Sequence, residues 1–238
     1  QFYFSYVMGL KEPEELDDEV DHRLLGLIFH AAMEEIYGHF GDAIIKDADL
    51  KQLLGKEDVL DQIIDNAFKR EYFNVEANAH IQYSGQQLLL KMTILAYVKN
   101  VLASDLQNCV PFRIVGVETN QFTRDLSVGG MRLTLGGTID RLQSDSEGSV
   151  YRIVDYKTGG LKDNEKRKDI SFPNIPFLFG YNNPDDLKRD SHVGYALQVL
   201  FYAYLCTKEK DWTVVPSLMF VRYKEGLLPL KMGTGLAK

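Results

Sequence analysis

The chain has 238 residues, 45% of them hydrophobic and 11% aromatic, which is ample for a buried core and argues against a disordered polar chain. Its formal charge is -7, but seven of the 34 acids fall in one short run: Glu12, Glu14, Glu15, Asp17, Asp18, Glu19 and Asp21. The remaining 27 acids are matched by 27 Lys and Arg. Charge is screened beyond about 8 Å at physiological salt, so attraction to a polyanion has to come from local basic clusters. Cys109 and Cys206 stand far apart with no paired spacing. That argues against a disulfide framework, a zinc knuckle or a complete iron–sulfur site in this segment, and it points to a reducing cytoplasm. No apolar run approaches the roughly 20 residues of a membrane span, and no signal peptide is visible.

In chain order, residues 2 to 9 are aromatic and amphipathic and lead into the acidic run around Pro13, which reads as an exposed loop. Asp21 is a candidate N-cap for a helix to about Phe40, with Leu24, Leu25, Ile28, Ala32 and Ile36 on one face. Two further helical patterns cover roughly 50 to 73 and 84 to 107; the second places Leu88, Leu89, Met92, Leu95, Ala96, Lys99 and Leu102 in its pattern. After Pro111 the composition turns to Val, Ile, Thr and Phe. Phe112 to Phe122, Met131 to Leu142 and Val150 to Tyr156 read as three strands of a meander. Thr158 to Ser191 is polar and too long for a simple connection, which marks a functional or mobile loop. Gly194 to Cys206 is a helix, and Val214 to Tyr223 is a last strand. The expected fold is α/β, a mixed central sheet flanked by helices with a helix-rich N-terminal half. It forms a single domain over 1 to 238, with a helical part to 110 and a sheet core from 111. The opening Gln1-Phe2-Tyr3-Phe4 and the closing Gly233-Thr234-Gly235 suggest a domain excised from a larger protein.

The chemistry concentrates in Gly137-Thr138-Ile139-Asp140-Arg141 and Ile153-Val154-Asp155-Tyr156-Lys157-Thr158-Gly159. Residues two apart on a strand share a face, so Asp155 and Lys157 point one way and Tyr156 the other. If the two strands pair, Asp140 lies beside Asp155, and two carboxylates and an ammonium converge. Phosphodiester hydrolysis needs such a set: carboxylates for a hard cation such as Mg²⁺ or Mn²⁺, and a lysine for the attacking water and the charge that develops on the phosphate. Asp-x-Lys also arises by chance at strand ends, so context has to carry the assignment.

That context resembles the RecB-type (AddB-like) exonuclease family of the PD-(D/E)xK nuclease superfamily, whose fold is the restriction-endonuclease-like mixed sheet. Its motifs occur here in order: Gly26 to His30 on a helix, Glu118 on a strand, Gly137 to Arg141, Asp155 to Gly159, and Gln198 to Tyr202 on a helix. The resemblance implies that Asp140, Asp155, the backbone carbonyl of Tyr156 and His30 bind Mg²⁺ or Mn²⁺. It further implies that Lys157 serves the nucleophile and that Gln198 and Tyr202 act beside the catalytic centre. Many relatives carry four cysteines around an iron–sulfur cluster, and none of those positions is visible in this segment. The implied activity is hydrolysis of DNA in repair or recombination, as an exonuclease or a flap-type nuclease, with a helicase-like subunit or domain as the implied partner.

Several residues keep two readings. His30, with Gly26 as a notch for close helix packing, is either a ligand or a core histidine. Gln198 and Tyr202, one helical turn apart, are either a substrate-side pair or a buried tyrosine with a capped amide. Glu118 either supports the metal or faces solvent. Lys162, Lys166, Arg167 and Lys168, with Lys188 and Arg189 beyond them, suit a DNA phosphate contact or an ordinary solvated loop. Phe172, Phe177, Phe179 and Tyr181 suit base stacking or local packing. For the whole chain, a catalytically inactive module that binds DNA or a protein partner is the alternative to an enzyme. A two-carboxylate glycosidase fits poorly, because it leaves Lys157 without a role.

Overall fold

The computed structural model describes residues 22–159, 191–207 and 212–230. Helix α1 spans His22–Gly38 and buries Leu25, Ile28, Phe29, Ala32, Met33, Ile36 and Tyr37, the stripe that its three-and-four spacing predicts. Its expected cap, Asp21, lies outside the described residues. A short β1, Ile44–Ile45, leads to α2, Asp47–Leu54, and α3, Glu57–Phe68, which continues into a π-helical turn over Lys69–Phe73. The single helix expected over 50 to 73 is therefore two. It breaks at Gly55, the poorest helix former in the stretch, and at Lys56, whose ψ of 73° leaves the helical region. Glu57 and Asp58 then favour a fresh helix N-terminus.

Helix α4, Gly85–Asn108, starts where expected, with Ser84 and Gln87 forming a reciprocal capping box. The face assigned to it needs correcting. Leu88, Leu89 and Met92 are exposed, and the buried stripe is Leu90, Ile94, Val98, Val101, Leu102 and Asp105. Apolar residues occur all round this helix, so spacing alone did not select the face; packing against α1 to α3 did.

The strands are β2 Phe112–Thr119, β3 Thr123–Val128, β4 Met131–Gly136, β5 Ile139–Asp145, β6 Val150–Lys157, β7 Thr213–Phe220 and β8 Leu227–Pro229. Six form one sheet in the order β1-β2-β5-β6-β7-β8. Neighbours β2, β5 and β6 are antiparallel, as the meander predicts. Strand β7 then runs parallel to β6, with helix α5, Ser191–Cys206, between the two in sequence, which makes the sheet mixed. Two expectations change here. The strand over 131 to 142 divides at Gly136–Gly137, and its first half pairs with an unforeseen β3 as a separate hairpin. Neither strand of that hairpin buries a face, and the alternation of Met131, Leu133 and Leu135 reads as a continuous strand with the residues that follow rather than as half of a separate pair.

Helices cover both faces of the sheet. Val154, Tyr156, Met219 and Val221 join the large core with α1 to α4. Leu142 and Ile153 pack with Tyr202, Leu205 and Cys206 of α5, while Leu218 and Phe220 pack with Ala196 and Val199. Cys109 and Cys206 are free, and burial pushes both thiols up to about 12, so neither is a thiolate at neutral pH. No helix among the described residues is long and apolar enough to cross a membrane. Phe68 closes α3 fully buried, its ring edge-on to Tyr83 at 5.3 Å. Phe68→Ala should lower stability by about 3–5 kcal/mol in urea unfolding; a loss below about 1 kcal/mol would contradict this packing.

Candidate metal centre and active site

The site forms at one end of the sheet, where three strands line up their acids. Arg141 pairs with Val154 in the antiparallel β5–β6 register, and one step further sets Asp140 opposite Asp155. The backbone N–H of Tyr156 donates to Asp140 Oδ2 at 2.7 Å, fixing that carboxylate against β6. On the other side of β5, Val117 pairs with Arg141 and Thr119 with Ile139, so Glu118 lies opposite Asp140. Glu118 has a φ of +44°, a conformation that costs a non-glycine residue about 1–2 kcal/mol. The register slips just before it, between Ile114 and Gly116. A Cβ on Gly116 would sit 2.7 Å from Thr119 Cγ2, so this turn requires a glycine. Strain of this kind concentrates where a side chain must be aimed.

His30 enters from α1. Its Nδ1 is 2.8 Å from Glu118 Oε1 and 3.8 Å from Asp140 Oδ1. One ligand atom from each of His30, Glu118 and Asp140 lies within 4.8 Å of the others, as a shared cation requires. The imidazole meets the ring of Tyr156 edge-on at 5.8 Å and that of Phe29 at 6.0 Å, which restricts its tilt. The side chains of His30 and Glu118 are 27% and 26% exposed, so the group is reachable from solvent.

The electrostatics show an excess of acid. Burial, reinforced by the charge of Asp155, pushes the Asp140 carboxyl up to about 7. Burial also raises Asp155, against the opposing pull of Lys157. Burial works against the charged form of His30, but its bond to Glu118 and the charges of Asp140, Glu118 and Asp155 prevail and raise it. A bound cation would relieve all three, and carboxylates with one imidazole suit Mg²⁺ or Mn²⁺. The donor chemistry therefore fits a divalent metal.

Lys157 stands between Asp155 and α5. Its Nζ is 2.6 Å from Asp155 Oδ2, off the hydrogen-bond direction, so this is an ion pair that leaves the buried oxygen without an aligned donor among the described residues. The same Nζ donates to Gln198 Oε1 at 2.9 Å and lies 4.6 Å from the ring centre of Tyr195. Gln198 Nε2 in turn donates to Tyr202 Oη at 3.0 Å. Tyr202 is nearly buried and its amide partner reaches the lysine, so the two readings of this pair merge into one chain of contacts. Gly137 completes it, since a Cβ there would meet Tyr202 Cε1 at 3.0 Å.

The structure thus brings together His30, Glu118, Asp140, Asp155, Tyr156, Lys157, Gln198 and Tyr202. Glu118, rather than Asp155, joins His30 and Asp140 as the closest donor group, while Asp155 stands beside it engaged with Lys157. The ring of Tyr156 turns to the opposite face as strand alternation requires, buried among Phe29, His30 and Arg141. Gly26 lies near Thr158, but an added Cβ would meet Thr158 Oγ1 at an ordinary 3.6 Å, so close approach does not demand this glycine. Lys162, Lys166, Arg167 and Lys168, with Lys188, Arg189 and the aromatics from Phe172 to Tyr181, lie outside the described residues. Two groups went unforeseen. Asp105 forms a buried ion pair with Arg141 behind the acids, and an acid on the apolar stripe of α4 was its only signal. Arg222, next to Lys157 in space, donates through Nε to Thr158 O at 2.9 Å; a lone exposed arginine carries no sequence signal.

The sequence profile of the PD-(D/E)XK nuclease superfamily matches residues 1–228. The chain belongs to the PD-(D/E)XK nuclease superfamily. No significant match exists among curated proteins. The central mixed sheet with helices on both faces is the restriction-endonuclease-like arrangement of that superfamily, and His30, Glu118 and Asp140 at the sheet end form a group that could hold a metal ion.

The perturbed carboxyl of this superfamily member has a measurable consequence. A carboxyl raised from 3.8 to about 7 in the fold stabilises the folded state at low pH, and that contribution is lost as pH rises through about 7. The raised His30 acts in the same direction. In chelator, stability should therefore fall from about pH 5 to about pH 8, and Asp140→Asn, which keeps an acceptor for Tyr156, should be about 2–4 kcal/mol more stable than the parent at the higher pH. Urea unfolding at both pH values measures this, and an Asn variant less stable than the parent at the higher pH would reject it.

Proposed function

We propose that this chain is a divalent-metal-dependent deoxyribonuclease of the RecB type that hydrolyses phosphodiester bonds as an exonuclease or flap-type nuclease in DNA repair or recombination. The observation that carries the reading is the convergence of the His30–Glu118–Asp140 donor group with a lysine held between Asp155 and Gln198. His30, Glu118, Asp140, Asp155 and the Tyr156 carbonyl would hold Mg²⁺ or Mn²⁺. When bound, the ion polarises the scissile phosphate and acidifies a water.

The protein's own groups have separate tasks. Lys157 presents an ammonium to the attacking water and then to the charge that develops on the phosphoryl oxygens. Asp155 and Gln198 hold that ammonium from two directions, and Tyr202 holds Gln198 in turn, so the lysine is placed before substrate arrives. Lys162, Lys166, Arg167 and Lys168, directly downstream of this strand, would add phosphate contacts that read charge and not sequence. A helicase-like subunit or domain that feeds DNA ends to the site, in the cytoplasm, is the partner this reading favours.

The test is degradation of end-labelled DNA with Mg²⁺ or Mn²⁺. Asp155→Ala and Lys157→Ala should each lower cleavage by at least about 10³-fold, and Gln198→Ala, which loosens the lysine without removing it, by about 10–100-fold. Chelator should abolish cleavage by the parent. DNA retention without cleavage in every divalent metal would instead identify a binding module.

A further inference from the structure

Arg141 follows Asp140 on β5, and strand alternation sends its side chain to the opposite face. There it is wholly buried, with Nη1 at 2.5 Å and Nη2 at 2.9 Å from the two carboxylate oxygens of Asp105 on α4. Asp105 is equally buried, and the Tyr37 hydroxyl donates to its Oδ2. The rings of Tyr37, Tyr156 and Phe112 surround the guanidinium at 4.6, 5.6 and 5.8 Å. Buried ion pairs of this kind add little stability over well-packed apolar groups of the same volume, so stability alone does not account for it.

Its position does. The Arg141 backbone pairs with Val117 on one side and Val154 on the other, and is thus the shared neighbour of the strands that carry Glu118 and Asp155. Its guanidinium abuts Tyr156, and Tyr156 touches two of the three cation donors: its N–H holds Asp140 Oδ2, and its ring meets His30 edge-on at 5.8 Å. The Tyr156 hydroxyl is buried with no hydrogen-bond partner among the described residues, where ring contacts fix this side chain. Whatever holds Arg141 therefore holds Tyr156, and through it His30 and Asp140.

We propose that Asp105, acting through Arg141 and Tyr156, is a positioning residue that sets the spacing of the His30–Glu118–Asp140 group and hence its affinity for a divalent cation. This inference rests on the reading above that the group binds metal. Asp105 touches no donor atom, yet it is the only partner among the described residues that takes both terminal nitrogens of Arg141. Outer partners of this kind typically change metal affinity by about 10–100-fold when altered.

The experiment is titration of the full chain with Mn²⁺, followed by calorimetry and by the spin-resonance signal of free Mn²⁺, alongside urea unfolding. Two variants are compared with the parent. Asp105→Asn keeps shape and removes the charge; the double variant Asp105→Leu with Arg141→Met replaces the whole pair by apolar volume and preserves folding if the single change does not. The expected result is cooperative unfolding of the double variant with Mn²⁺ binding weakened by about 10–100-fold, and cleavage that recovers toward the parental kcat at saturating Mn²⁺. Variants that fold and bind Mn²⁺ within about twofold of the parent would reduce the pair to scaffolding and overturn the inference. A parent that binds no Mn²⁺ would overturn the metal-site reading itself.

Discussion

The constraint on which the rest depends is the concentration of three acids, Glu118, Asp140 and Asp155, on adjacent strands at one end of a buried sheet. Burial disfavours their charged forms and like charges repel, and the upward displacement of Asp140 to about 7, driven first by burial and then by Asp155, records both. The fold holds them there by backbone pairing: the β2–β5 and β5–β6 registers set Glu118 and Asp155 on either side of Asp140, and the Tyr156 N–H fixes its carboxylate. Among the described residues, two basic groups, His30 and Lys157, contact the acids directly. The arrangement is short of positive charge, and a divalent ion is the natural complement.

The two sides of the sheet divide the work. Asp155 and Lys157 face α5, where Gln198 and Tyr202 continue the polar chain and Gly137 makes room for the tyrosine. Arg141 and Tyr156 face α1 and α4, where an apolar core surrounds one buried ion pair. A strand delivers alternate residues to opposite faces, so consecutive positions such as Asp140 and Arg141 serve different environments. The motif Asp-Arg therefore carries an acid of the His30–Glu118–Asp140 group and a core-facing anchor in two adjacent letters.

Much of the site was legible before any coordinates. Alternation assigned Asp155 and Lys157 to one face and Tyr156 to the other, and the β-meander placed Asp140 next to Asp155, because these rules are local and depend on spacing alone. The ordered motifs located Gln198 and Tyr202 as well, though not the hydrogen bond from Lys157 that makes them part of the centre. Glu118 was visible as a residue and ambiguous as a group, since its direction comes from a bulge and a positive φ that no periodicity records. The buried face of α4 was misjudged at Leu88, Leu89 and Met92 because apolar residues ring that helix, and the β3–β4 hairpin escaped notice because it has no buried side.

By itself the sequence determined which residue types stand at fixed local offsets: the acids and lysine on two strands, the amide and phenol one turn apart, and the order of helices and strands that makes an α/β sheet possible. Those properties follow from bond geometry and side-chain period, which act over a few residues. Only the tertiary structure decided that His30 meets Glu118 across 88 positions and that Asp105 reaches Arg141 across 36. Such contacts arise when packing fixes which helix face meets which strand, and that choice depends on the whole core.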